Sequence, residues 1–482
     1  MLKYGSCLAI VLLVQGVMYG ETPLRVAQAD KSAAKETSAS CEIRVGDVAA
    51  FQQDFASRRE CTLAQNAVTK VDVTEIALNR SLVTSMDHTF SHTLDNWQAT
   101  NQMRSGRCWM FAGLNLMRVD AMKSLVLEEF ELSQNYIMFW DKLEKSNYFL
   151  EAIIDTADRS VDDRTVHFLL QSLVSDGGQW NMFANLVKKY GLVPKSVMPE
   201  THSSSNSRSM NRILRRKLRE GAKGLRELHG RGAPGSEIRA AKDEILVTVY
   251  RILSIHLGTP PSEFLWQWVD KDRKFHRDGV ITPQQFARKY VNTPFEEYVC
   301  LVHDPRESSP RERTFTVEYL GNVIGDSDVK YLNVDIAEIK RITMQAILDG
   351  EPVWFGCDTG KMMAREAGLW DKELFDYRGV YNTEFSLTKA ERLVYGESAM
   401  THAMVFTGVD IVNGKPRRWR VENSWGDEVG KKGFFLMNDS WFDEYVFEIA
   451  APKSTLSPKL RAAYEQEPIM LPAWDPMGSL AW

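Results

Sequence analysis

Cys108 ends a polar, glycine-containing run, Asn101-Gln102-Met103-Arg104-Ser105-Gly106-Arg107, and precedes an apolar one. From Met110 the apolar residues recur at Leu114, Met117, Ala121 and Leu125, the three-to-four spacing of one helix face. The spacing predicts a helix whose first turn holds the cysteine, where unpaired N–H groups and the positive dipole end favour a thiolate. A lowered thiol pKa is what a sulfur nucleophile needs. Position alone favours an inert, buried helical cysteine, so other residues must overturn that reading. Far downstream His402 heads an apolar, strand-like run, and Asn423 stands at the end of another in Val421-Glu422-Asn423-Ser424-Trp425-Gly426. Asn413-Gly414 between them is a two-residue hairpin signal, and the hairpin's arms can hold His402 and Asn423 close together. A Cys–His pair supplies nucleophile and base, and a third polar group fixes the imidazole's orientation and tautomer.

Gln102 with Ser105-Gly106-Arg107-Cys108-Trp109, then Thr401-His402-Ala403-Met404, then Glu422-Asn423-Ser424-Trp425-Gly426 resemble the three catalytic blocks of papain-like cysteine proteases. More narrowly they resemble the bleomycin hydrolase / aminopeptidase C family, whose tail the ending from Leu471-Pro472-Ala473-Trp474-Asp475 to Trp482 is similar to. The resemblance runs from about residue 69 to the C-terminus. It implies an α+β fold: a helical left half, an antiparallel β-barrel-like right half, a large mainly helical insertion and a C-terminal arm. It also implies a cysteine-type aminopeptidase working through an acyl-enzyme on peptides and unfolded chains. In that scheme Cys108 is the catalytic nucleophile, His402 the acid–base and Asn423 its orienting partner. Gln102 is the oxyanion donor, Trp425 shields the His–Asn bond, and Gly177 and Gly178 line the substrate cleft. The arm, with Trp482, lies in that cleft and sets a terminal carboxylate against the substrate's α-ammonium. No metal or cofactor enters, and the implied assembly is a homohexameric ring.

His402 follows Cys108 by 294 positions (402 minus 108), where the papain pattern needs roughly 130–150. About 150 residues are therefore inserted, the size of one subdomain. The boundaries expected are a signal peptide over 1–20, a flexible segment over 21–62, and the helical catalytic half over 63–202. The insertion follows over 203–312, then the β half over 313–465 and the arm over 466–482. Leu132-Ser133-Gln134 reads as a helix start, and 181–190 as a helix stopped by Gly191 and Pro194. Asp335 and Glu338 have capping-box spacing ahead of a helix, and 352–357 reads as a buried strand. Within the insertion, 203–207 is serine-rich and linker-like, while Ile238, Ala241, Ile245, Val249 and Ile252 mark an amphipathic helix. Residues 208–231 carry nine Lys/Arg against two Glu, either a solvated helix face or a basic surface for acidic partners such as nucleic acid.

With 59 basic and 64 acidic side chains the net charge is −5, which argues against a whole-chain polyanion binder. Six cysteines without a CxxC spacing make neither a disulfide framework nor a zinc site. Cys357 reads as an inert strand thiol, and pairing of Cys41 with Cys61 is left open. Asp270 and Asp278 resemble pieces of a calcium loop, but the fifth and sixth positions hold Lys274 and Phe275, which rules against an EF-hand. Lys3 before the apolar stretch 8–19 has the form of a secretory signal, too short for a membrane span. The family resemblance implies the cytosol instead, so location stays undecided. The alternative reading is an oligomeric nucleic-acid-binding or regulatory protein on a papain-like scaffold. The intact Cys108, His402, Asn423 and Gln102 argue against it.

Overall fold

Val353-Trp354-Phe355-Gly356-Cys357 is apolar at every position, the composition of a strand covered on both faces, and all five residues are buried. In the computed structural model, which describes residues 42–481 apart from 95, 96 and 292, this strand stands inside a long mixed sheet. The signal-like stretch 1–20, the first part of the flexible segment, Cys41 and Trp482 lie outside the described residues. The chain divides into a unit ending at Val71 and a second from Asp72 to Trp482. In the first, helices Val45–Ser57 and Arg59–Val68 occupy much of what reads as flexible sequence. Local bonds hold them: Arg44 N–H donates to Asp47 at 2.8 Å, and Arg58 pairs with Asp54 at 3.0 Å.

The second unit contains the sheet. Its twelve strands run from Ile469–Leu471 through Thr314–Val317, Tyr331–Asn333, Tyr298–Val302 and Val446–Pro452 to Val353–Cys357. Beyond that come His402–Val412, Lys415–Glu422 and Phe434–Asn438, and short strands complete the edge. Neighbours about Val353–Cys357 are antiparallel. Helices Cys108–Leu125, Gln134–Asp155 and Trp180–Tyr190 pack on one face, against Cys300, Trp354, Ala403 and Val405. Phe355, Met404, Phe406 and Trp419 project to the opposite face, under helix Ile336–Leu348. This is the α+β layout expected. Among the described residues no helix is long and apolar enough to cross a membrane.

Local signals hold where partners are local. Asn413 and Gly414 have φ of 53° and 75°, the left-handed pair a tight hairpin turn requires. Ser133 caps its helix by accepting from Tyr136 N–H at 3.0 Å. Gly191 ends helix Trp180–Tyr190 at φ 75°, and a Cβ there would meet the Pro283 carbonyl carbon at 2.4 Å.

Two expectations are corrected. Asp335 does not cap its helix, because Arg311 takes its carboxylate at 2.9 Å, and Glu338 pairs with Arg341. The serine-rich 203–207 is no linker: it forms the helical turn His202–Ser205, where Thr201 and Ser204 cap each other's backbone. Ser204 and Ser207 are buried. Residues 203–312 are mainly helical, with helices Arg208–Gly230, Gly235–Leu257 and Pro283–Tyr290, and carry one hairpin, Phe264–Val269 with Phe275–Ile281. Asp270 closes that hairpin, accepting from the N–H groups of Asp272 and Lys274 and contacting His276 at 2.7 Å.

Candidate active site

Cys108 begins helix Cys108–Leu125 and is buried. The loop before it is held rigidly. Arg107, fully buried, makes a bidentate pair with Glu200 at 2.9 and 2.7 Å. Its Nε donates to Ser105 Oγ at 2.9 Å, and Ser105 Oγ donates to the Gln102 carbonyl at 2.7 Å. From the other side Asp176 accepts from Gly106 N–H at 3.1 Å. The same carboxylate contacts Lys142 at 2.6 Å, accepts from Asn211 at 2.8 Å, and accepts from Ser207 Oγ. Trp109 Nε1 donates to the Asp176 carbonyl at 2.7 Å, and Trp354 Nε1 donates to the Trp109 carbonyl at 3.0 Å. These bonds tie the start of the helix to the sheet.

His402 opens its strand and Asn423 directly follows the partner strand Lys415–Glu422, so the hairpin brings them together. His402 Nε2 lies 2.8 Å from Asn423 Oδ1. An amide oxygen only accepts, so Nε2 carries the hydrogen and Nδ1 is left as the base. Glu422, one residue before Asn423, is buried against Arg118 of the Cys108 helix and against Trp97 Nε1 at 2.5 Å. The Ala403 N–H, next along from His402, interacts with the Cys108 sulfur, as do the N–H groups of Cys108 and Trp109. The hairpin thus joins imidazole to carboxamide, and the sulfur lies at the backbone N–H of the residue next to His402.

Electrostatics correct the thiolate expectation. Burial pushes the Cys108 thiol up to about 11, outweighing the three N–H groups that pull it down. Burial likewise takes His402 down to about 4, against the Asn423 bond, which raises it. The helix start supplies the donors foreseen, but in so dry a site they do not alone ionise the sulfur.

Gln102 is buried and joined to the Asn423 block. Its N–H donates to the Ser424 carbonyl at 2.8 Å, and its Oε1 accepts from Ser424 Oγ at 2.6 Å. The second bond fixes the amide so that Nε2, which donates to the Ser105 carbonyl at 2.6 Å, faces the loop before Cys108. Trp425 is half-buried, its ring centroid 5.0 Å from that of His402 and 4.8 Å from the Arg365 guanidinium. Gly177 and Gly178 are buried, Gly178 against Trp109 of helix Cys108–Leu125. At Gly178 glycine is demanded by packing, since a Cβ would meet the Trp109 indole at 2.5 Å. Gly177 gives its carbonyl to Lys145 Nζ at 2.5 Å.

Sequence reasoning missed the roles of Ser424 and Asp176. Ser424 lies within a recognised block and Asp176 beside the two glycines, but no spacing rule connects either to its partners. It also missed how the arm is held. Arg306 grips Asp475 at 2.9 and 3.0 Å, and Tyr331 OH donates to the Met477 carbonyl at 3.2 Å. Ser479 Oγ donates to the carbonyl of Met400, two residues before His402, at 2.9 Å.

Known proteins match this arrangement along nearly the whole chain. The family model described as Peptidase C1-like family matches residues 42–478. Human (Homo sapiens) bleomycin hydrolase is 45% identical over 444 residues, 90% of this chain and 98% of that protein. Aminopeptidase C of Lactobacillus delbrueckii subsp. lactis is 42% identical over 446 residues, 92% of this chain and 99% of that protein. A crystal structure of PepW from Lactobacillus rhamnosis superposes with a TM-score of 0.90 at 45% identity, covering 91% of this chain and 99% of that one. The chain belongs to the Peptidase C1-like family and is a cysteine peptidase on the papain-like α+β fold.

Proposed function

We propose that this cysteine aminopeptidase cleaves amino-terminal peptide bonds through an acyl-enzyme on Cys108. The observation that carries the reading is the 2.8 Å His402–Asn423 bond beside a sulfur held at the neighbouring Ala403 N–H. The Cys108 proton passes to His402 Nδ1 as substrate binds. Burial opposes either charge alone, but this transfer creates both together, and their attraction in a dry site offsets much of the cost. The thiolate attacks the scissile carbonyl carbon, and the oxyanion takes hydrogen bonds from the Cys108 N–H and Gln102 Nε2. A preorganised donor of this kind contributes on the order of 3 kcal/mol. His402 Nδ1–H then protonates the leaving amine as the C–N bond breaks, leaving a thioester. Water, deprotonated by Nδ1, attacks the thioester, and the departing sulfur recovers its proton from the ring. Asn423 orients the ring throughout, and Trp425 covers that bond from solvent.

The arm sets the cleavage position. With Ser479 bonded beside His402 and Leu480 packed near Gly356, the cleft is filled on one side of the sulfur. A peptide then reaches Cys108 with a single residue ahead of the scissile bond, between Trp425 and the Gly177-Gly178 segment. A panel of aminoacyl fluorophores with free and blocked amino termini, run on wild type, Cys108→Ala and a chain lacking 478–482, tests this. Wild type should cleave only the free-amine series, Cys108→Ala neither, and the shortened chain both. Equal use of blocked substrates by wild type, or unchanged products after shortening, would overturn the arm's role.

The resemblance also implies a homohexamer. Leu265 and Val280, and Val269 and Phe275, are cross-strand pairs exposed on the inserted hairpin, and they supply an apolar surface suited to assembly. Sedimentation giving six subunits, reduced by Val280→Lys, is the expected result; a monomer would exclude it. Nucleic-acid binding through 208–231 draws less support. Arg219 and Arg226 are spent on backbone carbonyls, and Lys217 and Lys223 pair with Glu220 and Glu227.

A further inference from the structure

The ladder between strands His402–Val412 and Val353–Cys357 ends at the pair His402 and Cys357. His402 is thus a strand-end residue, and strand ends open easily unless something beyond the last pair holds them. Reacting groups tolerate little of this, since a displacement of about 1 Å can cost roughly a hundredfold in rate. What lies beyond the ladder therefore bears on where the imidazole stands.

One backbone bond continues past the pair: Thr401 N–H donates to the Cys357 carbonyl at 2.9 Å. From there side chains take over. Asp358 is buried, and its Oδ2 accepts from the buried Ser398 hydroxyl at 2.7 Å. Thr401 Oγ1 donates to Oδ1 at 3.4 Å and accepts from Thr359 N–H at 3.2 Å. The Ala399 N–H interacts with the same carboxyl, so Asp358 meets Ser398, Ala399 and Thr401, all on the loop that leads into His402. Its own stretch is anchored to the sheet side. Asp358 N–H donates to the Tyr445 carbonyl at 3.0 Å, and Trp370 Nε1 donates to the Thr359 carbonyl at 3.1 Å. Lys361, the nearby cation, pairs with Glu397 at 2.7 Å. Burial raises the Asp358 carboxyl against the pull of its donors, so the group stands there at a cost in stability.

We propose that Asp358 is a positioning residue for the acid–base: by gripping Ser398, Ala399 and Thr401 it extends the ladder past its last backbone pair and fixes where His402 begins its strand. The inference deepens the acyl-enzyme reading of His402 and rests on it. Asp358 touches neither substrate nor reacting atoms and works through the loop alone. Asparagine at this place keeps an acceptor oxygen and offers N–H to the hydroxyls, whereas alanine keeps nothing.

The test compares Asp358→Ala, Asp358→Asn and Thr401→Val in the full chain, by aminoacyl-fluorophore kinetics and by hydrogen exchange of the peptide spanning 398–404. Asp358→Ala should lower kcat by roughly thirty- to a hundredfold with KM held within about twofold. Exchange over 398–404 should quicken while that of strand Lys415–Glu422 holds. Asp358→Asn should recover most of both losses. Thr401→Val should lower kcat by about fivefold, as one lost hydrogen bond implies. An alanine variant that folds and keeps its kcat, a loss carried by KM, or a fall in kcat with exchange over 398–404 unaltered would overturn the proposal. Should Asp358→Ala fail to fold, Thr401→Val still decides, and an unchanged kcat there would overturn it. Cys108→Ala separates the two readings: activity surviving in that variant sinks the acyl-enzyme, while exchange over 398–404 still decides whether Asp358 holds the loop.

Discussion

Two carboxylates, Asp176 partly buried and Glu448 fully buried, stand in opposite states. On the helical side Asp176 takes hydrogen bonds from Gly106, Ser207 and Asn211 and an ion pair from Lys142. Its carboxyl is held well below the usual range, burial being outweighed by Lys142 and those donors. On the sheet side Glu448 makes no ion pair among the described residues, and burial drives it up to about 8 against the pull of the Cys300 thiol beside it. The first is a fixed charge that braces the loop before Cys108. The second is an acid kept neutral, which unpaired groups become when water is removed.

Breaking the braced side should have the largest effect. Asp176→Ala leaves Lys142 buried without its counter-charge and should cost about 3–5 kcal/mol in denaturant unfolding, with activity lost as the loop loosens. In the wild type, the stability from a depressed carboxyl is present above its unfolded value of about 3.9 and is lost as pH falls towards the lower folded one. Acid unfolding should therefore be shallower in Asp176→Ala; an unaltered acid limb would count against a charged Asp176. Next, Gln102→Ala should lower kcat by roughly a hundredfold in protein that stays folded, with only a modest fall in melting temperature from the lost Ser424 and Ser105 bonds, since Gln102 is asked to stabilise charge that only the transition state develops. A loss confined to KM would contradict the oxyanion role.

The unpartnered side predicts the opposite pH response. A folded value of about 8 for Glu448 lies above the unfolded 4.3, so wild-type stability is fullest below the unfolded value and declines as pH rises through the folded one. The decline is about 1.4 kcal/mol per pH unit across that window. Glu448→Gln removes it, so its stability relative to wild type should climb from pH 5 to pH 8 and then level. A flat difference would mean that Glu448 is ionised. The smallest effect belongs to a third carboxylate, the exposed Asp335. Because it pairs with Arg311 and does not cap its helix, Asp335→Ala should cost under about 0.5 kcal/mol, less than the ~1 kcal/mol of a true cap.

The same contrast explains what the sequence makes legible. The helix after Cys108, the Asn413-Gly414 turn and the stop at Gly191 depend on neighbours in the chain, and spacing reveals them. His402 and Asn423 could be paired because one hairpin connects them, and the resemblance joined Cys108 to them. Glu448 could not be found this way: a charged residue within Val446-Phe447-Glu448-Ile449 reads as facing water, and only the sheet order buries it. Asp176 was visible as a neighbour of two glycines, but its partners Gly106, Lys142, Ser207 and Asn211 come from three separate stretches. The Asp335 cap and the serine-rich break failed for a related reason, since Arg311 and reciprocal capping at Thr201 compete for groups that local rules assign elsewhere.

Cysteine reactivity tests the central claim most directly. Cys108 is proposed to be the nucleophile, whereas Cys300 and Cys357 are buried thiols driven well above the usual range. Peptide mass spectrometry should follow iodoacetamide labelling of the native enzyme beside residual aminopeptidase activity. The account predicts that activity falls in step with alkylation of Cys108 while Cys300 and Cys357 stay unmodified. Full alkylation of Cys108 with activity retained, or inactivation with Cys108 untouched, would contradict it.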